Sequence, residues 1–208
     1  LDLVVSDWSP HGQLRYYRNR GDGTFEEVTE AAGLVGITGG LHMVHADHDG
    51  DGDVDVLVLR GGWWFEYGKL PCSLLRNRGD GFFDDVTLDV GLGDRREPTQ
   101  TAVFLDHDRD GDLDLYIGGS KSERVACSSH LYRNDGGRFV DVGRAAGVTN
   151  DRYSKGVACG DVDGDGCESD CEFASEFVSQ MVPAGGTVST EDSGGATPTD
   201  PMETTVST

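Results

Sequence analysis

Short apolar runs fenced by glycine and aspartate recur along the chain: LDLVV (Leu1 to Val5), HMVHA (His42 to Ala46), VDVLVL (Val54 to Leu59), SLLRN (Ser73 to Asn77), FFDDV (Phe82 to Val86) and LDLYI (Leu113 to Ile117). After the aspartate, VDVLVL, LDLYI and LDLVV are apolar at successive positions. Both faces of such a strand must be covered. Short helices compete for runs of this length, but β-branched residues and flanking Gly and Asp favour strand. A tight turn at Arg78 to Gly81 then joins SLLRN to FFDDV as a hairpin.

These runs belong to a longer repeat. RNRGDGTFEEVTEAAGL (Arg18 to Leu34) returns as RNRGDGFFDDVTLDVGL (Arg76 to Leu92) and as RNDGGRFVDVGRAAGV (Arg133 to Val148). Asn19, Asn77 and Asn134 are 58 and 57 residues apart. A second motif, DHDGDGDVD from Asp47, recurs as DHDRDGDLD from Asp106 and as DVDGDG from Asp161, at spacings of 59 and 55. Two independent motifs sharing one period predict one supersecondary unit per repeat, each stacked on its neighbours. Four antiparallel strands per unit, covered on both faces, describe a β-propeller blade.

The fold class expected is therefore all-β: a β-propeller fragment of four-stranded antiparallel blades with a disordered C-terminal tail. Its units are a partial blade at 1–34 lacking its first strand and acidic loop, blades with an acidic loop at 40–92 and 98–148, a truncated blade at 153–173, and a Ser/Thr/Pro/Gly-rich tail at 174–208. A complete ring of six or seven blades needs roughly 400 residues. The opening LDLVV carries neither an initiator Met nor a signal peptide, so the chain is expected to be a segment of something longer.

Composition narrows the function. Asp and Glu number 38 against 17 Lys and Arg, a net charge of −21, which repels phosphate backbones and argues against nucleic acid as a partner. The 31 glycines are too many for a mainly helical protein. No apolar run reaches the roughly 18 residues that span a bilayer. Five cysteines (Cys72, Cys127, Cys159, Cys167, Cys171) show no doubled CxxC spacing, and one or two disulfides with a leftover thiol are equally open. Scattered cysteines in an acidic, glycine-rich chain favour an oxidising, extracellular compartment.

The acidic loops carry the strongest chemical signal. Asp47, Asp49, Asp51, Asp53 and Asp55 place five carboxylates in nine residues around Gly52, and Asp106, Asp108, Asp110, Asp112 and Asp114 repeat this around Gly111. Such clusters repel strongly unless they hold a cation. Oxygen donors at alternate positions with a glycine at the bend suit Ca²⁺. Asp47, Asp49 and Asp51 are expected to give side-chain oxygens, Asp53 a backbone carbonyl and Asp55 a closing carboxylate, with the same roles in the second loop. An EF-hand needs a Glu at the twelfth position and flanking helices. Val58 and Ile117 stand there instead. The third copy (Asp161, Asp163, Asp165) has Ser169 at its ninth position but Glu172 at its twelfth, so there the EF-hand alternative stays open, with FASEFVSQMV (Phe173 to Val182) as its following helix.

The pairing of RNRGDGTFEEVTEAAGL with ADHDGDGDVDVLV resembles the FG-GAP/VCBS repeat family, which includes the integrin α-subunit propeller and, more closely, cartilage-acidic-protein-like proteins with an ASPIC/UnbV region. The resemblance spans Leu1 to about Gly166. It implies a β-propeller with Ca²⁺ between the first two strands of a blade, in secreted or cell-surface proteins. VDGDGCESDCEF resembles the end of a cysteine-rich repeat of secreted bacterial proteins, in which paired cysteines form disulfides.

Other residues invite sharper readings. Arg20-Gly21-Asp22 and Arg78-Gly79-Asp80 are RGD tripeptides, but they occupy one position of the repeat and read as hairpin turns. His42 and His45 point to opposite faces of a strand and do not suit one zinc ion. His48 and His107, second in their loops, are expected to face solvent. Trp63, Trp64, Phe65 and Tyr67, with Trp8 in the equivalent loop, should lie at the end opposite the acidic loops. They pack between blades or offer a surface to a protein or glycan. There is no GxSxG, HExxH, Walker loop or Cys–His signature, and metal ligands make poor general acids. The expected function is a calcium-binding extracellular interaction or adhesion module, not itself an enzyme. The alternative is a propeller within a secreted polysaccharide-active enzyme.

Overall fold

A computed structural model describes residues 1–62, 64–120 and 127–160, all within the first of two units, Leu1–Val178. Expectations placed on the third acidic loop, on Cys167, Cys171 and Glu172, on the tail and on Trp63 lie outside the described residues.

Three antiparallel sheets follow one another along the chain. The first has three strands in the order β1 (Leu3–Val5), β2 (Arg15–Asn19) and β3 (Phe25–Glu27). The second has β4 (His42–Ala46), β5 (Asp55–Leu59), β6 (Ser73–Asn77) and β7 (Phe83–Asp85), and the third β8 (Thr99–Leu105), β9 (Asp114–Gly119), β10 (His130–Asn134) and β11 (Phe139–Asp141). Each is a simple meander, so the all-β, blade-type fold read from the repeat is the fold observed. Helix is confined, among the described residues, to one turn of 3₁₀ at Phe65–Gly68 and one of α-helix, α1, at Gly143–Ala146. Among the described residues, no helix is long and apolar enough to cross a membrane.

The two-faced apolar strands find covers on both sides. All five residues of β5 are buried. Its Val56 and Val58 pack with Leu14, Tyr16, Ala32 and Leu34 of the first unit, while Leu57 and Leu59 pack with Leu115, Ile117, Tyr132 and Phe139 of the third. Alternation along a strand sends successive side chains to opposite neighbours, so one strand glues three sheets together. Phe83 meets Tyr16 edge-on at 5.7 Å between ring centroids.

Backbone hydrogen bonds repeat across the joints as well. The Phe83 amide donates to the Ala32 carbonyl at 2.9 Å, and the Phe139 amide to that of Val90 at 2.8 Å. These are corresponding positions of successive repeats. At the other end of the second joint, the Thr99 amide donates to the Arg60 carbonyl at 2.8 Å.

Candidate metal centre

The acidic loops are the hairpin connections β4–β5 and β8–β9. Ala46 pairs with Asp55 and Leu105 with Asp114, so each loop leaves one strand and enters the next with its last aspartate already in the ladder. Strands on both sides remove the EF-hand arrangement from the first two loops. The bends require left-handed backbone at two places per loop: Gly50 (φ 72°) and Gly52 (φ 94°), then Arg109 (φ 67°) and Gly111 (φ 93°).

Within each loop the first three aspartates converge. One carboxylate oxygen from each of Asp47, Asp49 and Asp51 lies within 4.8 Å of the others, and Asp106, Asp108 and Asp110 form the same trio. Local amides hold these side chains in place. Asp47 accepts hydrogen bonds from the amides of Asp51 (3.1 Å) and Gly52 (2.9 Å), and Asp51 from that of Asp53 (2.9 Å). In the second loop Asp106 accepts from Arg109 (2.8 Å) and Gly111 (3.0 Å), and Asp110 from Asp112 (2.9 Å). The oxygen-only trio, two of its three members fixed by turn amides, fits a hard divalent cation such as Ca²⁺.

Asp55 and Asp114 stand behind the trios and are fully buried. Asp55 Oδ1 accepts the Asn77 amide at 2.7 Å, while Oδ2 accepts the His48 amide at 3.0 Å and lies 2.5 Å from His48 Nδ1. Asp114 repeats this with the amides of Asn134 and His107 (both 2.8 Å) and with His107 Nδ1. Asp49 belongs to a second grouping with His48 and Asp55, as Asp108 does with His107 and Asp114, so the fifth carboxylate adjoins the trio. Asp53 and Asp112 join neither grouping by side chain; their expected contribution was a backbone carbonyl.

His48 corrects an expectation. Rather than facing solvent, it is 3% exposed, held by Asp55 beneath and stacked on the Phe139 ring of the third sheet at 6.3 Å. His107 is also turned inward onto Asp114, though its side chain keeps 21% exposure. The buried carboxylate demands N–H donors, and the residue two places into the loop is the nearest able to supply both a backbone and a ring donor. His42 and His45 are exposed on β4 and join no metal grouping.

The repeated Asn has a role that motif matching alone did not assign. In each of the three sheets its amide reaches the aspartate of the LD/VD pair, exposed in the first sheet and fully buried in the other two: Asn19 to Asp2 (2.8 Å), Asn77 to Asp55, Asn134 to Asp114. Its side-chain Nδ2 donates to the carbonyl just before that aspartate, on Leu1 (2.9 Å), Val54 (3.3 Å) and Leu113 (3.2 Å). Its Oδ1 accepts a hairpin glycine amide, from Gly21 (2.8 Å), Gly79 (3.1 Å) and Gly137 (2.7 Å). The equal spacing of Asp and Asn in three copies was the available signal.

The RGD tripeptides lie in these hairpins. Asp22 accepts the Thr24 amide at 2.9 Å and Asp80 the Phe82 amide at 3.0 Å, so both carboxylates cap turns. Gly79 (φ 76°) lies against the Asp53 carboxylate, which brings the hairpin beside the acidic loop.

At the opposite end, Trp8 and Trp64 stack on each other at 5.9 Å, joining the first two units, while Trp8 and Tyr67 stay largely exposed. A charged network also sits at that end: His130 lies 3.2 Å from Glu97 and 3.0 Å from Asp141, and Arg95 donates to Asp141 at 2.7 Å. Cys127 borders it, but burial and then the Glu97 carboxylate push its thiol up to about 12. It therefore stays protonated at neutral pH, the reverse of an activated nucleophile. Cys72, Cys127 and Cys159 are free thiols, not joined to one another.

Residues 1–58, which take in β1 to β4, the whole first acidic loop and most of β5, match the family model described as an FG-GAP-like repeat. Over those residues the chain is similar to an FG-GAP-like repeat. The matched stretch ends inside β5, and the Asp–Asn arrangement found within it recurs in the second and third sheets. No curated protein matches the sequence.

Proposed function

We propose that the chain is a calcium-binding, extracellular β-propeller repeat segment that acts as a protein-interaction or adhesion module, with calcium in a structural role. The observation that carries this reading is the recurrence of one oxygen-only trio, on corresponding hairpins of two sheets, each backed by a buried aspartate. Asp47, Asp49 and Asp51 would hold the ion by side chain and Asp53 by its backbone carbonyl, with Asp55 closing the site. Asp106, Asp108, Asp110, Asp112 and Asp114 would do the same in the second loop. Bound calcium would supply positive charge that offsets crowded carboxylates in a chain of net charge −21. Extracellular modules bind calcium at about 10⁻⁴ to 10⁻³ M, which matches a secreted or cell-surface setting. The exposed faces of Trp8 and Tyr67, at the end away from the metal loops, are the surface this reading offers to a protein or glycan.

Calorimetric titration with calcium, paired with thermal unfolding, tests the proposal. At a calcium concentration about 100 times Kd, linkage raises stability by about 2.7 kcal/mol per site. Asp49→Asn, Asp108→Asn and Asp163→Asn together should remove both the heat and the shift. A melting temperature indifferent to calcium and chelator alike would sink the structural role.

A further inference from the structure

The first metal loop is completed by a side chain from the next sheet. Asn134, at the end of β10, is 1% exposed, and its Nδ2 donates at 3.1 Å to the carbonyl of His48, between Asp47 and Asp49. The same Nδ2 donates to Leu113 of its own unit at 3.2 Å, while Oδ1 accepts the Gly137 amide at 2.7 Å. Five residues further on, Phe139, 4% exposed, lays its ring on the His48 imidazole with 20° between planes. Asn77, the corresponding residue one repeat earlier, donates through its Nδ2 to Val54 of its own unit, at a longer 3.3 Å.

The loop between β4 and β5 is therefore gripped from two directions. Asp55 and Asn77 hold it from within its own sheet, and Asn134 and Phe139 hold it from the third sheet. A carbonyl flanked by two of the three converging aspartates cannot move without moving both.

Resting on the calcium reading above, we infer that Asn134 is a positioning residue for the metal loop of the preceding sheet. Calcium at Asp47–Asp55 and docking of the third sheet on the second are then one linked equilibrium. Linkage is reciprocal: whatever docking adds to calcium affinity, calcium adds to docking. The ion acts as a latch between adjacent blades, not only as a brace within one.

The test uses the 208-residue chain with Asp108→Asn, Asp110→Asn, Asp163→Asn and Asp165→Asn, which leaves one intact aspartate loop. Adding Asn134→Ala should weaken calcium binding in the calorimeter roughly two- to tenfold, the worth of one neutral hydrogen bond. Equal dissociation constants with and without Asn134 overturn the inference. Hydrogen exchange on the same four-substitution parent supplies a readout independent of the Asn134 variant's folding. Saturating calcium should slow exchange at the Phe139 amide, which bonds to Val90 across the joint. Protection confined to 42–77 refutes the linkage. A parent that binds no calcium defeats the calcium reading and the coupling together, whereas a parent that binds unaffected by Asn134 defeats the coupling alone.

Discussion

Substituting Asp55 by Asn separates what that residue does for the fold from what it does for a metal. Its carboxylate receives three N–H groups, from Asn77 at 2.7 Å and from His48 at 3.0 and 2.5 Å, in a site with no solvent exposure. Asn keeps the shape but turns one end into a donor. If its oxygen stays on the Asn77 amide, its NH₂ faces the His48 backbone amide and ring. The ring can switch tautomer and accept; the backbone amide cannot, and is left buried without an acceptor. One orphaned buried donor costs about 1–3 kcal/mol, and weakening the charge-assisted bonds to neutral ones adds about 1. A loss of about 2–4 kcal/mol is expected, read as a lower urea midpoint at every calcium level from chelated to millimolar. Asp49→Asn is the control: Asp49 is exposed and outside this hydrogen-bonded set, so its cost should appear only when calcium is present. If the Asp55→Asn deficit vanishes in chelator, Asp55 works only through the metal and the hydrogen-bond reasoning is wrong.

Two further outcomes follow from the structure. Arg109 adopts φ 67° where the first loop has Gly50 at φ 72°; left-handed backbone costs an L-residue about 1–2 kcal/mol, so Arg109→Gly should raise the unfolding free energy by about 1 kcal/mol, read as a higher urea midpoint, and a lower midpoint would show that the arginine side chain more than offsets the strain. Burial pushes the Cys72 thiol from 9.0 up to about 11, only partly opposed by Arg60. Because the folded-state value is the higher one, the folded protein keeps a proton that the unfolded chain gives up, so stability is complete below pH 9 and falls as pH rises from there toward 11. The loss approaches about 2–3 kcal/mol, and Cys72→Ala should remove that share of the alkaline slope in unfolding curves measured from pH 8 to 11.

Much of the fold could be read along the chain because its signals are local or periodic. Successive apolar positions in VDVLVL implied a strand covered on both faces, and the hairpins were set by glycines that tolerate their backbone angles cheaply, such as Gly79 at φ 76°. The convergence of Asp47, Asp49 and Asp51 was likewise implied by their spacing around a bend. His48 was not legible in this way. Its position two residues into an acidic loop suggests solvent, but its burial depends on Asp55, seven residues ahead, and on Phe139, ninety-one residues ahead.

The same division explains the repeated asparagine. Its spacing showed that every unit needs it, yet only three-dimensional neighbours reveal that Asn134 serves two units, bonding Leu113 in its own and His48 in the one before. Sequence alone determined the strands, the turns and the grouping of carboxylates, because those depend on residues a few positions apart. Tertiary structure decided which polar groups are buried and which sheet completes which loop. Desolvation and hydrogen-bond satisfaction are set by whatever packs alongside, and across a joint between sheets that neighbour lies tens of residues away in the chain.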